Sequence, residues 1–177
     1  MKAELEILMI GNPILNILSY IFVILLIFNL LRVNYFNPIV TFFMKPYKQV
    51  SRIPILFSNQ VLNIFLIATL IKFISLVLIF GYEDKVLTLV LLAIIQILIA
   101  FIRLIFFSII IGVVLSWVSP SGPNAFLELI EEISYKSLAP IRKYIPSAGG
   151  LDFSPIFMLI LINVLTIYLL NLWGSIL

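Results

Sequence analysis

"VLTLVLLAIIQILIAFIRLIFFSIIIGVVLSWV", Val86 to Val118, decides the fold. It runs for thirty-three residues with one charge, Arg103, no proline, and no glycine before Gly112. At about 1.5 Å per residue a helix of that length approaches 50 Å, well beyond a hydrocarbon core of about 30 Å. With neither Pro nor Gly between Lys85 and Phe107, a tight hairpin is disfavoured. Two arrangements remain. The helix tilts strongly, or its first three turns, roughly Val86–Ile97, pass the membrane boundary against another chain.

The rest of the chain is written in the same alphabet. Asn12–Leu31, Val61–Phe80 and Pro155–Trp173 are apolar runs long enough to span. The 177 residues are 63% hydrophobic and 11% charged, with a mean hydropathy of +1.26. A soluble domain carries roughly a quarter charged residues, so this chain lacks the polar surface to cover itself in water. The fold class is an all-α integral membrane protein with four transmembrane helices. Met1–Asn12 contains Glu4 and Glu6, and the first run ends without a small-residue cleavage site, so the first span is expected to stay in place.

The net charge of +3 does not point to nucleic acid, because the cations form no stripe. Topology explains them better. Arg32, Lys45, Lys48, Arg52, Lys136, Arg142 and Lys143 fall in the two long connections, against Lys2 and Lys85 on the opposite side. The positive-inside rule then places both connections in the cytoplasm and both termini outside it. With no cysteine and no histidine, disulfides, thiol chemistry, imidazole acid–base work and sites built on those ligands are excluded. The spans contain no carboxylate, so no catalytic, metal or cofactor-binding residues are assigned and the chain is read as a non-enzyme.

The connections are not plain loops. In "AFLELIEEISYKSL" (Ala125–Leu138), Phe126, Leu129, Ile130 and Ile133 share one helical face, while Glu128, Glu131, Glu132 and Lys136 fall largely on the other. Asn124 or Ser121 is a suitable cap. This predicts a helix of about 14 residues lying in the interface plane with its apolar face in lipid. Asn37–Val50 is a weaker counterpart that Pro46 is expected to interrupt. Each half therefore reads as span, interfacial amphipathic segment, span. That gives two parallel two-span repeats, residues 1–82 and 83–177.

"LAPIRKYIPSAGGLDFSP" (Leu138–Pro155) is the least membrane-like passage. Pro140 is expected to end the surface helix. Arg142 and Lys143 suit headgroup level, and Gly149-Gly150 permits a sharp reversal. Asp152 or Ser154 caps the last span, with Pro155 in its first turn. As an anchor the segment needs nothing more. As a site, Arg142, Lys143 and Asp152 also hold a partner.

"SWVSP" (Ser116–Pro120) followed by this passage closely resembles the signature of the YggT family, also called YlmG. The pattern is Ser-Trp closing a span, Pro-x-Arg-(Arg/Lys)-x-x-Pro, then Gly-Gly-(Ile/Leu)-Asp-(Phe/Leu)-Ser-Pro opening the next. Trp117, Pro140, Arg142, Lys143, Pro146, Gly149, Gly150, Asp152, Ser154 and Pro155 all fit. In the first half "NPIVTFFMKP" fits the bacterial two-repeat members, while "KPYKQVSRIPILFSN" is a degraded version of the rest. The resemblance implies a small multi-pass protein of the bacterial inner (plasma) membrane. Relatives are linked to osmotic stress, to neighbourhoods of cell-division genes and to membrane complex assembly. The implied role is assembly or organisation of membrane protein complexes, with solute or ion homeostasis as the alternative. Membrane lipids and another membrane protein or a homo-oligomer are the implied partners; no nucleic acid and no cofactor are expected.

Two intramembrane cations, Lys72 and Arg103, stand outside the signature. Each would cost roughly 2.5–3.5 kcal/mol at the bilayer centre. Snorkelling to the outer boundary is the favoured reading. The other is a buried site facing an anionic lipid, or a polar pathway with Asn63, Gln96, Asn163 and Thr166.

Overall fold

The computed structural model describes residues 13–50, 57–81, 86–118, 122–145 and 152–176. Among these residues the chain is all helical, with six helices: α1 (Pro13–Leu31), α2 (Pro38–Val50), α3 (Gln60–Phe80), α4 (Val86–Val118), α5 (Ala125–Arg142) and α6 (Ser154–Ile176). Four of them, α1, α3, α4 and α6, are long and apolar enough to cross a membrane.

Their ends follow from local chemistry. Orphan N–H groups of the first turn need an acceptor, and short polar side chains supply it. The Asn59 side chain accepts from the Val61 amide at 2.9 Å, and Asn124 accepts from Phe126 at 2.9 Å and Leu127 at 3.3 Å. Of the two expected caps for α5, Asn124 is therefore the one used. Gly81 closes α3 with φ of 72°, a left-handed conformation that favours glycine, and donates to the Val77 carbonyl at 2.9 Å.

Helix α4 is the central post. It packs against α1, α3, α5 and α6. Lipid tails are as apolar as leucine, so burial from water does not hold spans together; close packing does. Small residues permit it: Ala68 and Ala100 sit in a buried cluster with Val23 and Ile97, joining α1, α3 and α4. A second cluster unites Leu76 of α3, Leu89, Leu92 and Ala93 of α4, and Trp173 of α6. One face of the first turns of α4 is thus covered from within this chain, while Val86, Leu87 and Leu91 stay exposed.

Helix α5 differs from its expected form in two ways. It runs 18 residues, through Pro140 to Arg142, rather than ending at the proline. The missing N–H falls in the last turn, so only one late backbone bond is forfeited. Its apolar face is also covered by protein: Leu129, Ile133 and Leu138 are buried in one cluster with Phe28, Val33 and Val40 of the first half and Ile105 and Ile109 of α4. Phe126 stays 52% exposed. Likewise α2 is continuous over 13 residues, and Pro46 does not interrupt it.

The crossing of α4 and α5 depends on Gly112. A Cβ added there would lie 2.5 Å from both Cβ and Oγ of Ser134. The two backbones approach closely because neither residue is large.

Candidate functional site

Two places gather polar side chains. The first is at the end of the bundle that carries α5. The last turn of α5 projects Arg142 toward the residue that caps α6. Arg142 Nε donates to Asp152 Oδ2 at 2.8 Å, and Asp152 Oδ1 accepts from the Ser154 amide at 2.9 Å. Asp152, not Ser154, is therefore the cap. One carboxylate serves both a helix N-terminus and a cation, each of which favours its charged form. Partial burial pushes the Asp152 carboxyl up, but the hydrogen bonds from Ser154 and the Arg142 guanidinium outweigh it, and the group sits below its ordinary range.

The guanidinium is stacked as well as paired. Its Cζ lies 4.8 Å from the centroid of the Tyr135 ring, two turns back on α5. Had the helix stopped at Pro140, Arg142 would not share Tyr135's face. Arg142 Nη1 is buried and has no hydrogen-bond partner among the described residues.

The remaining signature residues distribute around this pair. Lys143 is exposed just after α5, Pro140 lies within its last turn, and Pro155 is the second residue of α6. Ser154 is buried. Trp117 is 81% exposed in the last turn of α4. Pro146, Gly149 and Gly150 lie outside the described residues.

A neighbouring contact escaped the sequence reading. Glu132, expected on the solvated face of α5, accepts from the Asn34 amide with both oxygens, at 2.9 and 3.0 Å. Lys136 donates to Glu132 at 2.7 Å and to the Arg32 carbonyl at 2.6 Å. Asn37 reaches the Ala125 carbonyl at 2.7 Å. Arg32 has a positive φ of 51°, so the turn leaving α1 is tight, and α5 of the other half holds it. Nothing in the spacing of residues 98 positions apart could reveal this pairing.

The second place lies among the spans, toward the end remote from α5. Lys72 of α3 is not a snorkelling cation: it is 6% exposed, and its Nζ donates to Asn16 Oδ1 of α1. A buried amide that can accept removes the need to reach the boundary. Ser19, one turn further along α1, donates to the Asn16 carbonyl at 2.7 Å. Lys72, Arg103, Gln96 and Trp173 line one cavity of about 40 Å³, with Ser19 and Tyr20 on its α1 wall. Both polar atoms of the Gln96 amide and the Trp173 indole N–H are buried with no hydrogen-bond partner among the described residues. Trp173 is 2% exposed. Asn16, Ser19 and Trp173 were not singled out in the sequence; the Asn16-Ser19 pair, three apart on an apolar helix, was the available signal.

Arg103 also borders a separate outward-facing groove with Phe106 and Phe107 of α4 and Ile162, Asn163 and Thr166 of α6. Arg103 and Asn163 are both exposed. Thr166 donates to the Ile162 carbonyl at 2.8 Å. The four polar residues proposed for one pathway are therefore divided. Gln96 faces the cavity, Asn163 and Thr166 the groove, and Asn63 is spent on the Phe57 backbone, donating at 2.7 Å and accepting at 3.1 Å.

Comparison with known proteins agrees with the signature. Residues 91–173 match the CCB3/YggT family. An uncharacterized protein of Pseudomonas aeruginosa is 35% identical over 52% of this chain and 47% of its own length. An uncharacterized protein of Haemophilus influenzae is 28% identical over 95% of this chain and 93% of its own. The uncharacterized protein YggT of Escherichia coli K12 is 34% identical over 35% of this chain and 32% of its own. The chain thus spans about half or less of two of these relatives and nearly all of the third. No solved structure matches it.

Proposed function

We propose that this chain, which carries a CCB3/YggT family segment over residues 91–173, is a non-enzymatic membrane subunit that assembles or organises membrane protein complexes. The observation that carries the reading is the outward groove at Arg103 and Asn163. Arg103 is 15 residues from one end of α4 and 17 from the other, and Asn163 lies near the middle of α6. An arginine facing lipid within a span is costly, by roughly 2.5–3.5 kcal/mol at the bilayer centre and less toward the boundary, and a partner helix that offers it a polar or acidic group lowers that cost. The uneven covering of α6 fits the same role. Ile160, Val164, Ile167 and Tyr168 are exposed along its length.

On this reading residues 1–82 and 83–177 are parallel repeats of one plan. The Lys/Arg bias places α2, α5 and the Arg142–Asp152 pair in the cytoplasm. There Arg142 and Lys143 meet headgroups or a soluble part of the partner. Native-gel electrophoresis of mildly solubilised membranes tests the proposal. The wild-type chain should migrate in a species larger than the monomer, and Arg103→Leu or Asn163→Leu should return it to the monomer at unchanged protein level. A wild-type chain that migrates alone would contradict the reading.

A further inference from the structure

The cavity walled by Lys72, Arg103, Gln96 and Trp173 goes beyond lateral assembly, because the buried Lys72 and Trp173 side chains line it from within the bundle. Its chemistry is lopsided. Lys72 and Arg103 bring two positive charges, the Trp173 indole can only donate, and the Gln96 amide brings two further donors beside its one acceptor oxygen. The spans contain no carboxylate to answer them. Lys72 donates to the neutral Asn16 Oδ1, and among the described residues no carboxylate pairs with it. A buried cation without a counter-charge is costly, and the orphaned amide and indole N–H add to that cost. An anion answers the cations and the N–H donors, and a water beside it answers the Gln96 Oε1.

We infer that the cavity is a binding site for a small inorganic anion of halide size. The volume of about 40 Å³ holds roughly three waters, by the measure of about 10–15 Å³ each, or one halide with a water or two. It does not hold a nucleotide or a large organic acid. The site lies toward the end where α1 begins and α6 ends, away from α5, so the ion enters from the side opposite the Arg142–Asp152 pair. Lys72 supplies the fixed charge, Gln96 and Trp173 the directed donors, and Arg103 closes the side toward the outer groove.

The chain has two tryptophans, and Trp117 is exposed, so Trp117→Phe leaves Trp173 as the sole reporter inside the cavity. In nanodiscs of purely zwitterionic lipid, at constant ionic strength with gluconate, iodide should quench this fluorescence saturably, and chloride should compete. Lys72→Met should raise the half-saturating iodide concentration by about tenfold or more, the effect expected when a charged hydrogen-bond partner is lost. Gln96→Leu, a change that suits a span and leaves the charge in place, should weaken binding less but in the same direction. Linear quenching, or saturation unchanged in both variants, would overturn the site. Loss of the saturable component when phosphatidylglycerol replaces the zwitterionic lipid would assign the seat to a lipid phosphate and overturn the free-anion reading. None of these outcomes bears on whether the chain joins a complex through Asn163.

Discussion

Arg142 Nε lies 2.8 Å from Asp152 Oδ2, and this contact ties the end of α5 to the start of α6. Both side chains are about one-third exposed, so the pair is solvated and its worth is about 0–1 kcal/mol. Arg142→Ala or Asp152→Asn should therefore leave insertion and protein level unchanged while abolishing complementation of a deletion strain. Full complementation by both would reduce the passage to a topological anchor. The acid limb is set by Asp152, whose carboxyl is held below its ordinary range. A depressed carboxyl contributes stability above the unfolded pKa and loses it as pH falls through the folded one. The small difference between wild type and Asp152→Asn in thermal melts should thus be present at neutral pH and fade below about pH 4.

Gly112 sets the distance between α4 and α5. Gly112→Val should lower stability by about 1–3 kcal/mol, because its side chain meets Ser134 at a separation that no real Cβ tolerates. Ser134→Gly should restore much of the loss when combined with a small replacement, Gly112→Ala. A melting temperature for Gly112→Val equal to wild type would show that the crossing is looser than described.

Glu132 holds the turn that leaves α1. Glu132→Ala leaves the Asn34 amide without its acceptor and Lys136 without its carboxylate. A loss of about 1–3 kcal/mol is expected, while Glu131→Ala, one residue away and exposed, should cost almost nothing. Hydrogen exchange at Asn34 should rise in the first variant alone.

These contrasts mark what the sequence could and could not disclose. The four spans were legible because length and uniform apolarity leave few alternatives for backbone hydrogen bonds in lipid. The caps at Asn124 and Asp152 were legible as candidates because capping is a local rule, although the choice over Ser121 and Ser154 was not. The fates of Lys72 and Glu132 were hidden. Each depends on a residue of another helix, Asn16 or Asn34, brought close only by packing. For Lys72, distance to the boundary pointed to snorkelling, and a buried amide partner 56 positions away overrode it. For Pro140, the rule that proline ends helices yielded to the low cost of losing a bond in the final turn, which carries Arg142 onto Tyr135.

The central claim is that another polypeptide covers the exposed face at Arg103 and Asn163. In-cell photocrosslinking addresses it most directly, with a photoreactive residue at position 163 and, as the control, at Leu78, an exposed position on α3. The account predicts a discrete protein adduct from position 163 and only lipid adducts from position 78. Lipid adducts alone from both positions would contradict it.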